Sequence, residues 1–212
     1  MAPKSYQLYC DGAVSGSQAP TGVGVVILDE NDVVLRQESY PAGIGTNQSA
    51  EILAAVAGLR LIPDGARVTV FSDSMYVIKT MTGQFARNAN LQHWPTLDAE
   101  VRRMGAVEWK HCRGHNGNVH QEAADALAVL AKLKGPESKL PLSPSDPRPQ
   151  PAAAPGPTPK TIEGVLQTAI TTIANLALPS SADPNLRVAV TTAQRANAEA
   201  ALLRRQAQDA GR

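Results

Sequence analysis

Four carboxylates stand where an α/β chain can gather side chains for chemistry. Asp11 follows a predicted strand in Cys10-Asp11-Gly12, and Asp73 follows another in Ser72-Asp73-Ser74. Glu51 opens a long helical pattern, and Asp125 lies within Glu122-Ala123-Ala124-Asp125-Ala126-Leu127. Carboxylate oxygens suit hard divalent ions such as Mg²⁺, which take oxygen ligands and keep several waters. The carboxyl ends of strands, where Asp11 and Asp73 fall, border the crevice in which open α/β sheets bind ligands. Each acid also has an ordinary explanation. Asp73 reads as a helix N-cap, Asp11 as a turn residue before glycine, Glu51 as an acid favoured by a helix dipole, and Asp125 as a solvated helical residue. None of the four convinces alone. His115 sits in a glycine-bounded loop, where an isolated histidine is usually surface.

The elements that must position these residues alternate in period. Tyr6–Cys10, Gly22–Leu28 and Val33–Tyr40 read as strands, with Asn31-Asp32 turning the second into the third. Glu51–Leu61 places Ile52, Val56 and Leu59 at i, i+4 and i+7, which predicts a helix with one buried stripe. Pro63-Asp64-Gly65 ends it, and Arg67–Phe71 predicts a fourth strand. Ser74–Met81 and Trp94–Met104 read as helices, Ala106–Cys112 as a fifth strand, and Val119–Leu133 as a closing helix presenting Ala123, Leu127, Leu130 and Ala131. The order β-β-β-α-β-α-α-β-α predicts a mixed sheet with helices on its faces.

Composition divides the chain. Nine of its sixteen prolines lie between Gly135 and Lys160, which predicts an extended linker over 135–160. Residues 1–134 hold twelve Lys/Arg and thirteen Asp/Glu, net −1; residues 135–212 hold eight and six, net +2. That near-neutrality argues against a strongly basic nucleic-acid clamp. The N-terminus lacks the apolar stretch of a signal peptide, and the longest charge-free run, Gly164–Ala182, is too polar for a lipid-facing helix. The expectation is a soluble, cytoplasmic protein. Its two cysteines, Cys10 and Cys112, have neither metal-type spacing nor the pattern of a disulfide framework.

The words around the four acids gather them into one set. Cys10-Asp11-Gly12-Ala13, Thr46-Asn47-Gln48-Ser49-Ala50-Glu51, Phe71-Ser72-Asp73-Ser74 and Arg113-Gly114-His115-Asn116-Gly117-Asn118 through Ala124-Asp125 resemble type 1 ribonucleases H, in that family's order, over about residues 5–133. The resemblance implies an α/β, ribonuclease H-like fold. Its five-stranded mixed sheet, in order 3-2-1-4-5, is flanked by helices and would fill a catalytic domain over 1–134. It implies endonucleolytic cleavage of the RNA strand of an RNA/DNA hybrid, leaving 3′-hydroxyl and 5′-phosphate ends. Two Mg²⁺ ions, or Mn²⁺ in their place, would activate water, align the leaving oxygen and neutralise growing charge. Asp11 would be shared between the ions, with Glu51 and Asp73 completing one site and Asp125 the other. His115 would shuttle a proton or assist product departure, work that suits a near-neutral pKa. Gly12, Gln48 and Glu51 would read 2′-hydroxyls, Asn47 would lie at the minor groove, and Thr46 and Asn90 would hold a DNA-strand phosphate. Thr46-Asn47-Gln48 also reads as a helix-entry cap, and the two roles can coexist.

Three features depart from the family pattern. Thr82–Ala89 replaces a basic, Trp-rich protrusion and carries one basic residue, Arg87. The usual aromatic of the DNA channel is missing, although Phe85 is adjacent, and Ile44 stands where some relatives place an arginine. Trp94 reads as a core anchor. Cys10 and Cys112, on strands that the fold separates, read as reduced thiols.

Beyond the linker, residues 161–212 read as two helices around Pro179-Ser180-Ser181. This small helical extension is of a kind that docks on a partner protein or self-associates. Two rival readings are a recombinase- or transposase-type nuclease of the same fold and a non-catalytic hybrid-binding module. The His115 loop and the spacing of Glu51 and Asp125 weigh against the first, and the complete acid set against the second.

Overall fold

The structure is a computed structural model that describes residues 3–113 and 118–140. The expected helical extension over 161–212 and most of the 135–160 linker lie outside the described residues, as does His115. The elements run β1 (Ser5–Val14), β2 (Ala19–Asp29), β3 (Val34–Gly45), α1 (Asn47–Arg60), β4 (Arg67–Ser72), α2 (Met75–Met81), α3 (Trp94–Arg102), β5 (Ala106–His111) and α4 (Val119–Lys132). The five strands form one sheet in the order β3-β2-β1-β4-β5. β1, β2 and β3 pair antiparallel, while β4 pairs parallel with both β1 and β5. This is the mixed sheet read from the sequence.

Alternation along β1 sorts the helices onto two faces. Leu8, Cys10 and Gly12 point one way, toward α1: a Cβ on Gly58 would sit 2.4 Å from Leu8 Cδ1, and one on Gly12 would sit 2.4 Å from the Ala50 carbonyl carbon. Gly22 and Gly24 of β2 pair with Ala13 and Asp11 and so share their face, which α4 covers. A Cβ at Gly24 would lie 2.0 Å from the Ala124 carbonyl oxygen. Helix and sheet backbones touch there, which only glycine permits.

The single buried stripe expected of the first helix is corrected. α1 is buried continuously from Ser49 to Arg60. It is packed against β1 and β2 on one side and α3 on the other, so its alanines Ala50, Ala54, Ala55 and Ala57 are core residues too. Arg60, on that inner helix, is paired with Glu100 of α3 at 3.6 Å. Arg103 donates to the Leu59 and Ile62 carbonyls, satisfying the end of α1. Trp94 is the expected core anchor: it is 2% exposed, and its Nε1 donates to the Ala89 carbonyl at 2.9 Å. Leu127, grouped with the core of the last helix in the sequence, is only half-buried, whereas Ala124 and Ala128 are fully buried against β2. Both cysteines are free thiols. Among the described residues no helix is long and apolar enough to cross a membrane.

The chain does not leave the domain at Lys134. Its Nζ donates to Ser39 Oγ at 3.1 Å, the Lys139 N–H donates to the Pro41 carbonyl at 2.9 Å, and Leu140 joins the core. The first residues of the expected linker are thus laid along β3. Leu140→Ala is expected to destabilise the protein by roughly 2 kcal/mol, the low end for a buried leucine, because the site lies at the rim of the core. Urea unfolding would read this as a lower midpoint, and an unchanged midpoint would show that the strap carries no load.

Candidate active site

β1 ends its parallel pairing with β4 at Tyr9 and Phe71 but continues antiparallel to β2 as far as Val14. Asp11 therefore lies inside a strand, not in the turn that its following glycine suggests. It stands where one neighbour has left and the other remains, at the mouth of a crevice. Gly12 lets β1 touch the backbone of α1 at Ala50 and Glu51, which sets Glu51 beside Asp11.

Glu51 is not at the helix end. Thr46 is the N-cap, its Oγ1 accepting from the Ser49 N–H at 3.2 Å while Ser49 Oγ accepts from the Thr46 N–H at 2.8 Å. This capping box starts α1 four residues earlier than expected and places Glu51 in its second turn, 5% exposed. The helix-dipole explanation for Glu51 falls with that. The capping explanation for Asp73 falls as well, because Ser74 is the N-cap of α2, accepting from the Val77 N–H. Neither carboxylate is needed to start a helix.

Oxygens of Asp11, Glu51 and Asp73 all come within 4.8 Å of one another. The cleft they share, about 210 Å³, is also lined by Gly12, Asn47, Gln121, Glu122 and Asp125. Asp125 reaches it because α4 lies directly on Gly22 and Gly24. The structure thus brings the four sequence-predicted acids together.

Their charges are felt. Burial, then the neighbouring charges of Asp73 and Asp125, pushes Asp11 up from 3.8 to about 7, against the opposing hydrogen bonds from Gly12 and Gln121. Burial, then Asp11 and Asp73, holds Glu51 well above the usual carboxylate range. Glu51 Oε2 is buried without a hydrogen-bond partner among the described residues. A buried acid with an open lone pair, beside two others, is poorly solvated by protein alone. It fits a divalent cation, whose charge would satisfy the oxygens and cancel the repulsion.

Proton linkage gives a signed expectation. Between pH 3.8 and about 7 the folded chain holds a proton on Asp11 that the unfolded chain releases. Stability of the metal-free protein should therefore fall as pH rises through that window. Urea midpoints in EDTA are expected to drop from pH 5 to pH 8, with Mg²⁺ restoring the loss at pH 8. A midpoint rising with pH in EDTA would contradict this electrostatic picture.

The residues expected to touch substrate flank the cleft. Asn47 lines it, and Asn47 and Gln48 are exposed on the first turn of α1. Asn90, in a left-handed conformation at φ 55°, donates to Gln48 Oε1 at 3.4 Å and to the Tyr76 hydroxyl at 3.3 Å. Two residues far apart in sequence are thereby coupled at one surface. Phe85 is exposed with the Lys79 ammonium 5.0 Å from its ring centroid, and Ile44 is 53% exposed. Sequence reasoning missed Gln121, a buried amide in the cleft wall, because glutamine carries no chemical signature of its own.

Comparison with known proteins gives a consistent answer. The RNase H family model matches residues 3–132. A ribonuclease H of Dinoroseobacter shibae is 35% identical over 151 residues, which span 62% of this chain and 94% of that protein. A ribonuclease H of Bordetella pertussis is 34% identical over 136 residues, spanning 58% and 85%. Among solved structures, LC11-RNase H1, isolated from compost, has a TM-score of 0.54 at 27% identity, covering 61% of this chain and 96% of that one. The same protein in complex with an RNA/DNA hybrid gives a TM-score of 0.53 at 25% identity, covering 61% and 97%.

Proposed function

The chain belongs to the ribonuclease H family, and from that premise we propose that it hydrolyses the RNA strand of RNA/DNA hybrids at the cleft of Asp11, Glu51, Asp73 and Asp125. The observation that carries this reading is the meeting of Asp11, Glu51 and Asp73 oxygens within 4.8 Å, in a cleft that Asp125 also lines. A hybrid-bound relative of the same fold supports the substrate class.

Asp11 and Glu51, with Asp73, would hold one Mg²⁺, and Asp11 with Asp125 a second. Bound there, the ions supply an activated water, an aligned leaving oxygen and neutralisation of charge growing on the phosphate. The protein's own part is positional. Gly12 donates its N–H to Asp11 Oδ1 at 2.7 Å, fixing the carboxylate in the strand. Four acids repel a phosphate backbone, so substrate approaches this site only with its cations in place. Asn47, Gln48 and Asn90 form the polar rim along which the hybrid would lie, with Thr46 at a DNA phosphate. Gly12, Gln48 and Glu51 would read 2′-hydroxyls, the feature that separates RNA from DNA. His115 would move the proton at the leaving group or aid product departure, and cleavage would leave 3′-hydroxyl and 5′-phosphate ends.

A gel assay on end-labelled hybrid, duplex DNA and duplex RNA, using the full chain in Mg²⁺, tests the proposal. Cleavage confined to the RNA of the hybrid is expected. Cleavage of duplex DNA would favour a recombinase-type nuclease, and binding without cleavage a recognition module.

A further inference from the structure

Gln121 is fully buried, at 1% exposure, in the wall of a polar cleft. Its Nε2 donates to the Cys10 carbonyl and to Asp11 Oδ2, each at 3.3 Å. The Gly12 N–H already occupies Asp11 Oδ1. Each oxygen of that carboxylate therefore carries one donor from the protein, which fixes its plane and leaves a lone pair on each oxygen.

The position of Gln121 is itself determined. Asn118 caps α4, its Oδ1 accepting from the Gln121 N–H at 3.1 Å. Four residues on, and so on the same helix face, stands Asp125. One side chain thus ties α4 to β1 at the point where the helix brings its acid to the cleft.

The amide is poorly suited to a purely structural task. Gln121 Oε1 is buried and has no hydrogen-bond partner among the described residues. A half-satisfied buried amide is a worse filler than an apolar side chain of equal volume. Its side-chain hydrogen bonds among the described residues lie on the Nε2 side, at the Cys10 carbonyl and Asp11.

Resting on the metal-site reading above, we infer that Gln121 is a positioning residue for divalent-cation binding. It orients the Asp11 carboxylate and registers α4, with Asp125, against it. Partners that orient metal ligands in this way typically contribute on the order of tenfold or more to affinity.

The test is Mn²⁺ binding to the full chain by calorimetry, alongside thermal unfolding in EDTA. Gln121→Met, matched in volume but without a donor, is expected to bind Mn²⁺ about tenfold more weakly while melting no earlier than wild type by more than a few degrees. Gln121→Asn keeps an amide N–H at shorter reach and is expected to lose less affinity than Gln121→Met. Equal affinity of Gln121→Met and wild type would overturn the inference. So would affinity and melting temperature falling together in both variants, which marks a structural role alone. Should Gln121→Met fail to fold, Gln121→Asn decides: weaker binding at unchanged melting supports the role, and unchanged binding removes it. A wild-type chain that binds Mn²⁺ leaves only Gln121 in question, whereas one that binds none ends the metal-site reading and this inference with it.

Discussion

Asp11→Asn is expected to reduce hybrid cleavage on the order of 10³-fold or more, since under the proposed mechanism it removes a ligand that both ions would share, and with it several kcal/mol of charge stabilisation. The same substitution should make the metal-free protein more stable at neutral pH. Asp11 is 7% exposed and its ionisation is opposed by burial and by Asp73 and Asp125, which pushes it up to about 7. An amide of the same shape carries no charge to desolvate and relieves its neighbours. Its oxygen can still accept from Gly12, while its NH2, in the place of Oδ2, would face Gln121, whose unpartnered Oε1 can turn to accept from it. Activity and stability therefore move in opposite directions, as expected where a site is held strained for its ligand. Thermal melts in EDTA at pH 8, run beside single-turnover cleavage in Mg²⁺, read both. A variant that lost activity and stability together would mean that Asp11 holds the fold, and a variant of full activity would remove it from the mechanism.

Gly24→Ala is the second change of large effect, and it touches no acid. Gly24 pairs with Asp11 across β1 and β2, and its added Cβ would meet the Ala124 oxygen at 2.0 Å and the Ala128 nitrogen at 2.5 Å. Those are backbone atoms of α4, so no side chain can swing aside. The helix must lift from the sheet, and such overpacking typically costs about 1–3 kcal/mol. Asp125 sits on the same stretch of helix, directly after Ala124. A displacement near 1 Å at a catalytic group can cost about 10²-fold in rate. The expected result is a folded protein with a lower urea midpoint, weaker Mn²⁺ binding and at least tenfold slower cleavage. Unchanged cleavage at reduced stability would show that the approach of α4 does not set the site.

What the sequence made legible follows from which signals are local. Period-2 and period-3.6 patterning marked the nine elements seen among the described residues, because the strands and helices of a sheet covered on both faces declare themselves through burial. Their ends were less legible. Strand β1 runs past Asp11 because β2 continues to pair with it, a fact of register that no single segment contains. The start of α1 at Asn47 depends on a Thr46–Ser49 capping box with serine in the place where Glu or Gln is the usual signal. The uniform burial of α1 arises from α3 packing on its outer side. Gathering the acids needed the family's flanking words, since Asp73 and Glu51 each had a sufficient local excuse. The fold shows that Ser74 caps α2 and that Thr46, already offered by the sequence as a helix-entry cap, caps α1, which frees both acids for chemistry. Gln121 was invisible because its importance lies in what it touches rather than in its type.

The proposed function requires the cleft joining Asp11, Glu51, Asp73 and Asp125 to hold divalent cations against the hybrid. Anomalous scattering from crystals of the Asp11→Asn chain would be uninformative, so the measurement belongs to the wild-type chain soaked in Mn²⁺ with a non-cleavable hybrid. Manganese peaks are expected in that cleft, one against Asp11, Glu51 and Asp73 and one between Asp11 and Asp125, with the RNA strand lying over them. Peaks elsewhere on the chain, or a bound hybrid with an empty cleft, would contradict it.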